Sequence, residues 1–192
     1  MRILSCLNLR SRIQGCFLRP RLRKVRLLVC DVDGVLTDGG LYYDEDGLVV
    51  KRFDVHDGLA VRMLQRVGII VVLLSGGRGG AVEHRARHLG ITYCYTGVVD
   101  KHVCLRRLQD ELGMSREATA FIGDDLNDLV VRSACGVLVA PADAAQGLRQ
   151  QADWLLSRPG GYGALREFTE VLLASQGQLK NLQRFGWREV NG

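Results

Sequence analysis

The chain has 192 residues, 47% hydrophobic and 24% charged, enough for one domain with a sizeable core. It holds no uninterrupted apolar run of membrane-spanning length, and its three prolines and lack of low-complexity tracts exclude a largely disordered or collagen-like chain. The formal charge of +5 is unevenly spread: residues 1–30 hold eight of the 26 basic residues and no acidic one, leaving 18 basic against 21 acidic beyond them.

The basic excess therefore belongs to the N-terminal arm and gives no reason to place nucleic acid on the folded body. Residues 1–23 contain one aromatic, Phe17, which offers little for base stacking. They read as a solvated extension, and an Arg-rich, acid-free start also fits an organelle transit peptide. The six cysteines form no C-x-x-C pair and no zinc-site spacing. Reduced thiols and a cytoplasmic location are the expectation.

From Lys24 the pattern becomes regular. Val25 to Asp31 is an apolar run that predicts a buried strand. A hairpin is expected next, because Leu41–Tyr43 and Leu48–Phe53 flank Asp44-Glu45-Asp46-Gly47, and Asp-Gly in that setting is a turn signal. Ala60, Met63, Leu64 and Val67 follow helical spacing, stopped by Gly68. A strand over Ile69–Leu74 precedes a helix on Val82, Ala86 and Leu89 that ends at Gly90. A strand over Ile91–Tyr95 precedes a helix on Cys104, Leu105, Leu108 and Leu112 that ends at Gly113. Thr119–Ile122 predicts a strand, Leu126, Leu129 and Val130 a helix, Cys135–Ala140 and Asp153–Leu156 two more strands, and Leu165, Phe168 and Leu172 a last helix. The alternation predicts an α/β fold: a Rossmann-like, doubly wound, mainly parallel sheet with a small hairpin after its first strand and no large cap domain.

In such a sheet, ligands bind at the carboxyl ends of the strands. The residues there are Asp31 and Asp33 after the first strand, Ser75 and Gly76 after the second, Lys101 opening the third helix, and Asp124, Asp125 and Asp128 after the fourth. Five carboxylates on one edge repel one another unless a cation joins them, and Mg²⁺ suits oxygen ligands of this kind. A metal beside a carboxylate, an ammonium and a hydroxyl suits phosphoryl transfer. Each piece alone has a plainer reading, as a turn, a strand end or a helix start, and it is their order that points to chemistry. Gly76-Gly77-Arg78-Gly79-Gly80 lacks both the P-loop and the dinucleotide fingerprints and reads as a loop at the mouth of the site. His84 and His88, at i and i+4, read as a polar helix face, because no third metal ligand accompanies them.

These motifs resemble those of the haloacid dehalogenase superfamily of phosphatases. Asp31-Val32-Asp33-Gly34-Val35-Leu36-Thr37-Asp38-Gly39 matches its first motif; Ser75, Lys101 and Gly123-Asp124-Asp125-Leu126-Asn127-Asp128 match the others in order. Within it, Lys51-Arg52-Phe53-Asp54-Val55-His56-Asp57-Gly58 and Gly160-Gly161-Tyr162-Gly163-Ala164-Leu165-Arg166-Glu167 are similar to the subfamily acting on 3-deoxy-D-manno-octulosonate 8-phosphate. The resemblance spans about 24–176, with 177–192 as a C-terminal tail whose glycines and mixed polar residues read as mobile.

The resemblance implies that Asp31 is the nucleophile and forms an aspartyl-phosphate, and that Asp33 is the general acid and then the base. It implies Mg²⁺ held by Asp31, Asp33 (through its backbone carbonyl) and Asp124. Ser75, Gly76 and Lys101 would hold the phosphate, with Asp125 and Asp128 supporting the metal and Lys101. Arg78 and His56 are further candidates for substrate contact. It also implies a homotetramer, consistent with apolar Leu41, Tyr42, Leu48 and Val49 on the hairpin; composition and charge, for their part, give the expectation of no membrane and no nucleic-acid partner. Three arginines usual in the subfamily are Gly77, His56 and Tyr162 here, which leaves a nonulosonate 9-phosphate or another phosphometabolite as alternative substrates. A non-catalytic phosphatase-like module that drives oligomerisation is the competing reading of another class.

Overall fold

A computed structural model of the chain describes residues 14, 15, 17–47 and 49–185. A four-residue helix α1 (Arg19–Leu22) leads into β1 (Leu27–Cys30), followed by the hairpin strands β2 (Tyr42–Tyr43) and β3 (Val49–Val50). Then come α2 (Val55–Arg66), β4 (Ile70–Leu74), α3 (Gly80–Leu89), β5 (Tyr93–Tyr95), α4 (Lys101–Leu112) and β6 (Thr119–Ile122). A 3₁₀ helix η1 (Leu126–Ser133), β7 (Val137–Ala140), α5 (Gln146–Gln151), β8 (Trp154–Leu155), α6 (Ala164–Ser175) and α7 (Leu179–Phe185) complete the order.

Six strands form one parallel sheet in the order β5-β4-β1-β6-β7-β8. The central strands β1, β4, β6 and β7 are buried on both faces, as a sheet covered on both sides requires, while the edge strands β5 and β8 are partly exposed. Leu28 and Cys30 of β1 face one core with Leu64, Leu73, Val82 and Phe168. Leu27 and Val29 face the other with Leu105, Leu108, Val131 and Leu148. The chain moves outward from β1 through β4 to β5, then returns to β6 on the other side of β1. The crevice beyond the carboxyl ends of β1 and β6 is therefore the topological switch point, where an open α/β sheet binds its ligand.

Three expectations need correction. The boundary expected at residue 23 falls within packed structure: Leu18 and Leu22 are core residues, and Arg21 pairs with Asp153 at 2.9 Å. Asp153 also receives Arg132 and the Leu138 amide, so a segment that reads as solvated is tied to β7 and β8. Residues 1–13 lie outside the described residues. The element after β6 is 3₁₀ rather than α, and Leu126 and Val130 of its expected apolar face are exposed. Its buried positions are Asp128, Val131 and then Ala134, a repeat of three that matches three residues per turn. In the tail, residues 179–185 are helical, with Leu179 and Leu182 packed against the core; residues 186–192 lie outside the described residues.

The hairpin forms where Asp-Gly places it, with Leu41, Tyr42, Tyr43 and Val50 exposed. Leu48 and the Val49 side chain lie outside the described residues. No helix among the described residues is long and apolar enough to cross a membrane.

The loop before α6 presses on the loop after β1. The Gly161 amide donates to the Val35 carbonyl at 2.9 Å, and a Cβ on Gly160 would collide with the Gly34 carbonyl. Buried Asp57 of α2 fixes this loop by accepting from the Gly163 amide at 3.2 Å and the Arg166 amide at 2.9 Å. Burial pushes the Asp57 carboxyl up to about 6. The folded state therefore holds this proton more tightly than the unfolded chain, so this group's contribution to stability falls as pH rises from about 4 to about 6, by roughly 3 kcal/mol. Asp57→Asn removes that titration. Urea unfolding is expected to show the stability difference between the wild-type protein and Asp57→Asn shrinking by about that amount between pH 4 and 6.5; a difference that does not change with pH contradicts the assignment.

Candidate active site

Asp31 follows β1 directly, with its amide bonded to the Ile122 carbonyl of β6 at 2.9 Å, and it is 5% exposed. Lys101 opens α4 beside it, behind an Asp100 cap that accepts from the Val103 amide. The Lys101 Nζ lies 3.1 Å from Asp31 Oδ1 and 2.6 Å from Asp128 Oδ1, with all three side chains buried. The second Asp128 oxygen accepts from the Asp124 amide at 2.9 Å. Asp128 thus spends its oxygens on Lys101 and the backbone.

Asp31, Asp124 and Asp128 bring carboxylate oxygens within 4.8 Å of one another. Burial raises the Asp31 carboxyl above the usual range, helped by Asp128 and opposed by Lys101. Burial raises Asp124 as well, and Asp31 and Asp128 add to it. For Lys101 burial works downward, but Asp31 and Asp128 outweigh it and the net shift is upward. One ammonium does not compensate three carboxylates, and a divalent cation held by Asp31 and Asp124 would relieve the remaining repulsion. The backbone is shaped for close approach there. Gly34 has φ +79°, and a Cβ on it would occupy the space of the Asp124 carboxylate. The residues present therefore fit a hard, oxygen-liganded cation, which Asp31 and Asp124 could hold.

The other candidates divide into two groups. Ser75 is fully buried at the end of β4, its Oγ accepting from the Gly77 amide at 3.1 Å. Gly76 sits beside it in the same turn. A Cβ on Gly77 would lie 3.0 Å from Asp33 Oδ2, 3.4 Å from Ser75 Oγ and 3.5 Å from Lys51 Nζ, so these groups share one pocket. Three candidates stand apart. Asp125 is exposed and caps η1, accepting from the Leu126 amide at 2.6 Å, so its carboxylate supports neither Lys101 nor the other acids. The His56 side chain is 71% exposed and pairs with Asp54 at 3.0 Å. Arg78 is exposed and lies over Gly97. His84 and His88 are exposed on α3, as a polar face requires.

Lys51 is the site residue that sequence reasoning passed over: its Nζ donates to both Asp33 oxygens, at 2.7 and 2.8 Å. A lysine ending an exposed hairpin strand carries no local signal of that contact. The guanidinium of Arg52 lies over the Tyr162 ring at 4.5 Å and donates to the Gly161 carbonyl at 2.8 Å. A cation thus stands at the Tyr162 position although the chain has no arginine there.

Known proteins resemble this chain over most of its length. The family model for haloacid dehalogenase-like hydrolases matches residues 88–159. The 3-deoxy-D-manno-octulosonate 8-phosphate phosphatase of Haemophilus influenzae is 39% identical over 161 residues, 84% of this chain and 89% of that protein. The cobalt-bound structure of the Haemophilus influenzae phosphatase superposes with a TM-score of 0.80 at 40% identity, covering 83% of this chain and 93% of that one. The Moraxella catarrhalis phosphatase, solved with magnesium, phosphate and KDO, superposes with a TM-score of 0.85 at 32% identity, covering 88% and 97%. With its fold, its ordered acidic motifs and these similarities, the chain belongs to the haloacid dehalogenase-like hydrolases and, among them, to the family of the 3-deoxy-D-manno-octulosonate 8-phosphate phosphatases.

Proposed function

We propose that this chain is a Mg²⁺-dependent phosphatase that hydrolyses 3-deoxy-D-manno-octulosonate 8-phosphate to the free sugar acid and phosphate, through an aspartyl-phosphate on Asp31. The observation that carries this is the buried Asp31 carboxylate, held 3.1 Å from Lys101 at the switch point of the sheet with Asp124 alongside. The choice of sugar acid rests on the relatives, whose names specify it.

Asp31 attacks phosphorus, and the bond from phosphorus to the sugar oxygen breaks. Asp33 gives its proton to the departing alkoxide. A water then attacks phosphorus, passing its proton to Asp33, and the Asp31–phosphorus bond breaks to release phosphate. Lys101 and the Ser75 hydroxyl stabilise charge on the phosphoryl oxygens, and Lys101 keeps Asp31 as the anion that attacks. Asp31, Asp124 and the Asp33 carbonyl would hold Mg²⁺, which would supply further neutralisation of that charge. The proposal includes a homotetramer, supported by the exposed apolar side chains of the hairpin and measurable as the sedimenting mass.

Phosphate release should be followed across phosphorylated sugar acids, hexoses and nucleotides. Selective turnover of 3-deoxy-D-manno-octulosonate 8-phosphate is expected, lost in EDTA and restored by Mg²⁺. Preference for a nonulosonate 9-phosphate overturns the substrate while keeping the chemistry. Absence of turnover in a folded, Mg²⁺-loaded protein overturns the function.

A further inference from the structure

We propose that Lys51 is a positioning residue for Asp33, fixing the direction of its carboxyl group towards the leaving-group oxygen and making the hairpin part of the acid–base step. The inference rests on the acid–base role proposed above for Asp33. The Lys51 side chain is 4% exposed, and that of Asp33 is 34% exposed. Among the described residues, Lys51 is the only side chain hydrogen-bonded to the Asp33 carboxylate, and it holds both oxygens. An aspartate open to solvent on one side samples several rotamers; a bidentate ammonium selects one.

The backbone at Lys51 is held on its far side. Arg52 donates to the Gly161 carbonyl and stacks on Tyr162, and Phe53 packs against the core under Arg85 at 5.6 Å. The stem of Lys51 thus leaves a fixed point and reaches Asp33 from the hairpin side. Gly77 completes the enclosure, because a side chain there would crowd Asp33, Ser75 and Lys51 together. The contacts therefore hold the Asp33 side chain beside Ser75 and Lys51.

The role matters most where the leaving group needs a proton. A sugar alkoxide does, whereas nitrophenolate leaves unprotonated. The experiment is single-turnover leaving-group release by the full chain with Mg²⁺, using 3-deoxy-D-manno-octulosonate 8-phosphate and p-nitrophenyl phosphate. Lys51→Met keeps the length of the stem without the charge. It is expected to slow release from the sugar phosphate about 10- to 100-fold, with little change in KM, and release from the nitrophenyl ester less than about fivefold. Lys51→Arg, which can hold both carboxylate oxygens, is expected to recover most of the loss. In an Asp33→Asn background, adding Lys51→Met should slow the sugar phosphate little further, because the two residues act as one unit. Equal losses on both substrates, a loss confined to KM, additive losses with Asp33→Asn, or no loss at all each overturn the proposal. If the wild-type chain releases nothing from either ester, the failure lies in the proposed function instead.

Discussion

Asp31→Asn is expected to leave a folded protein whose phosphatase turnover is lower by at least about 10⁴-fold, the scale seen when a nucleophile is removed. The amide nitrogen and oxygen of asparagine are poor nucleophiles towards phosphorus, so no covalent phosphoryl intermediate forms and the two-step route closes. The fold should be retained for three reasons. Asparagine fills the same volume in a site that is 5% exposed. Its Oδ1 can still accept from Lys101, which lies 3.1 Å from that atom in Asp31. The strand contact that places residue 31 is made by its backbone amide to the Ile122 carbonyl and does not involve the side chain. The thermal midpoint should therefore stay within a few degrees of the wild type while turnover disappears. Turnover within tenfold of wild type places the nucleophile elsewhere. Loss of the midpoint together with activity makes Asp31 a structural residue, and the kinetic result then says nothing about attack.

The residues that carry this prediction were legible because parallel strands bring their ends together. Asp31, Ser75, Lys101 and Asp124 each follow a strand or open the next helix, so identifying the strands is enough to converge them on one edge. Asp128 was legible for a related reason, since its distance from Asp124 is fixed by the turn that joins β6 to η1. Lys51 was not legible. Its partner Asp33 lies across the hairpin, and nothing in 41–53 records how far that hairpin folds back over the first loop. Arg21 failed for the same reason at longer range. Its aspartate partner is 132 positions away, just before β8, and four helical residues with a proline among arginines look solvated in isolation. The shape of η1 was missed because its burial repeats at three and includes Asp128, a position that an apolar pattern skips. Asp125 was assigned alongside its neighbours in the motif, yet its place as the first residue before a helix turns its carboxylate to the backbone.

Lys101→Met is expected to cost about 3–5 kcal/mol of stability when no divalent cation is present, the scale of breaking a buried ion pair from one side. Among the described residues, Lys101 is the single ammonium in contact with both Asp31 and Asp128, and all three side chains are at most 7% exposed. Methionine keeps the volume and removes the donor. Asp128 is then left fully buried, with one oxygen bonded to backbone amides and the other facing Asp31 and Asp124 without a cation. Two additions separate this electrostatic cause from simple loss of packing. Saturating Mg²⁺ should narrow the stability gap, because a cation bound by Asp31 and Asp124 cancels part of the repulsion that the lysine relieved. Asp128→Asn placed on Lys101→Met should recover stability, although alone it costs the Lys101 contact, so the two substitutions couple strongly in a double-mutant cycle. Urea midpoints in EDTA and in Mg²⁺ measure each term, and additive costs with no response to Mg²⁺ contradict the electrostatic account. Turnover by Lys101→Met should be depressed on the order of 10²- to 10³-fold even with Mg²⁺ present, because a metal held by Asp31 and Asp124 would not replace the charge that Lys101 brings from α4.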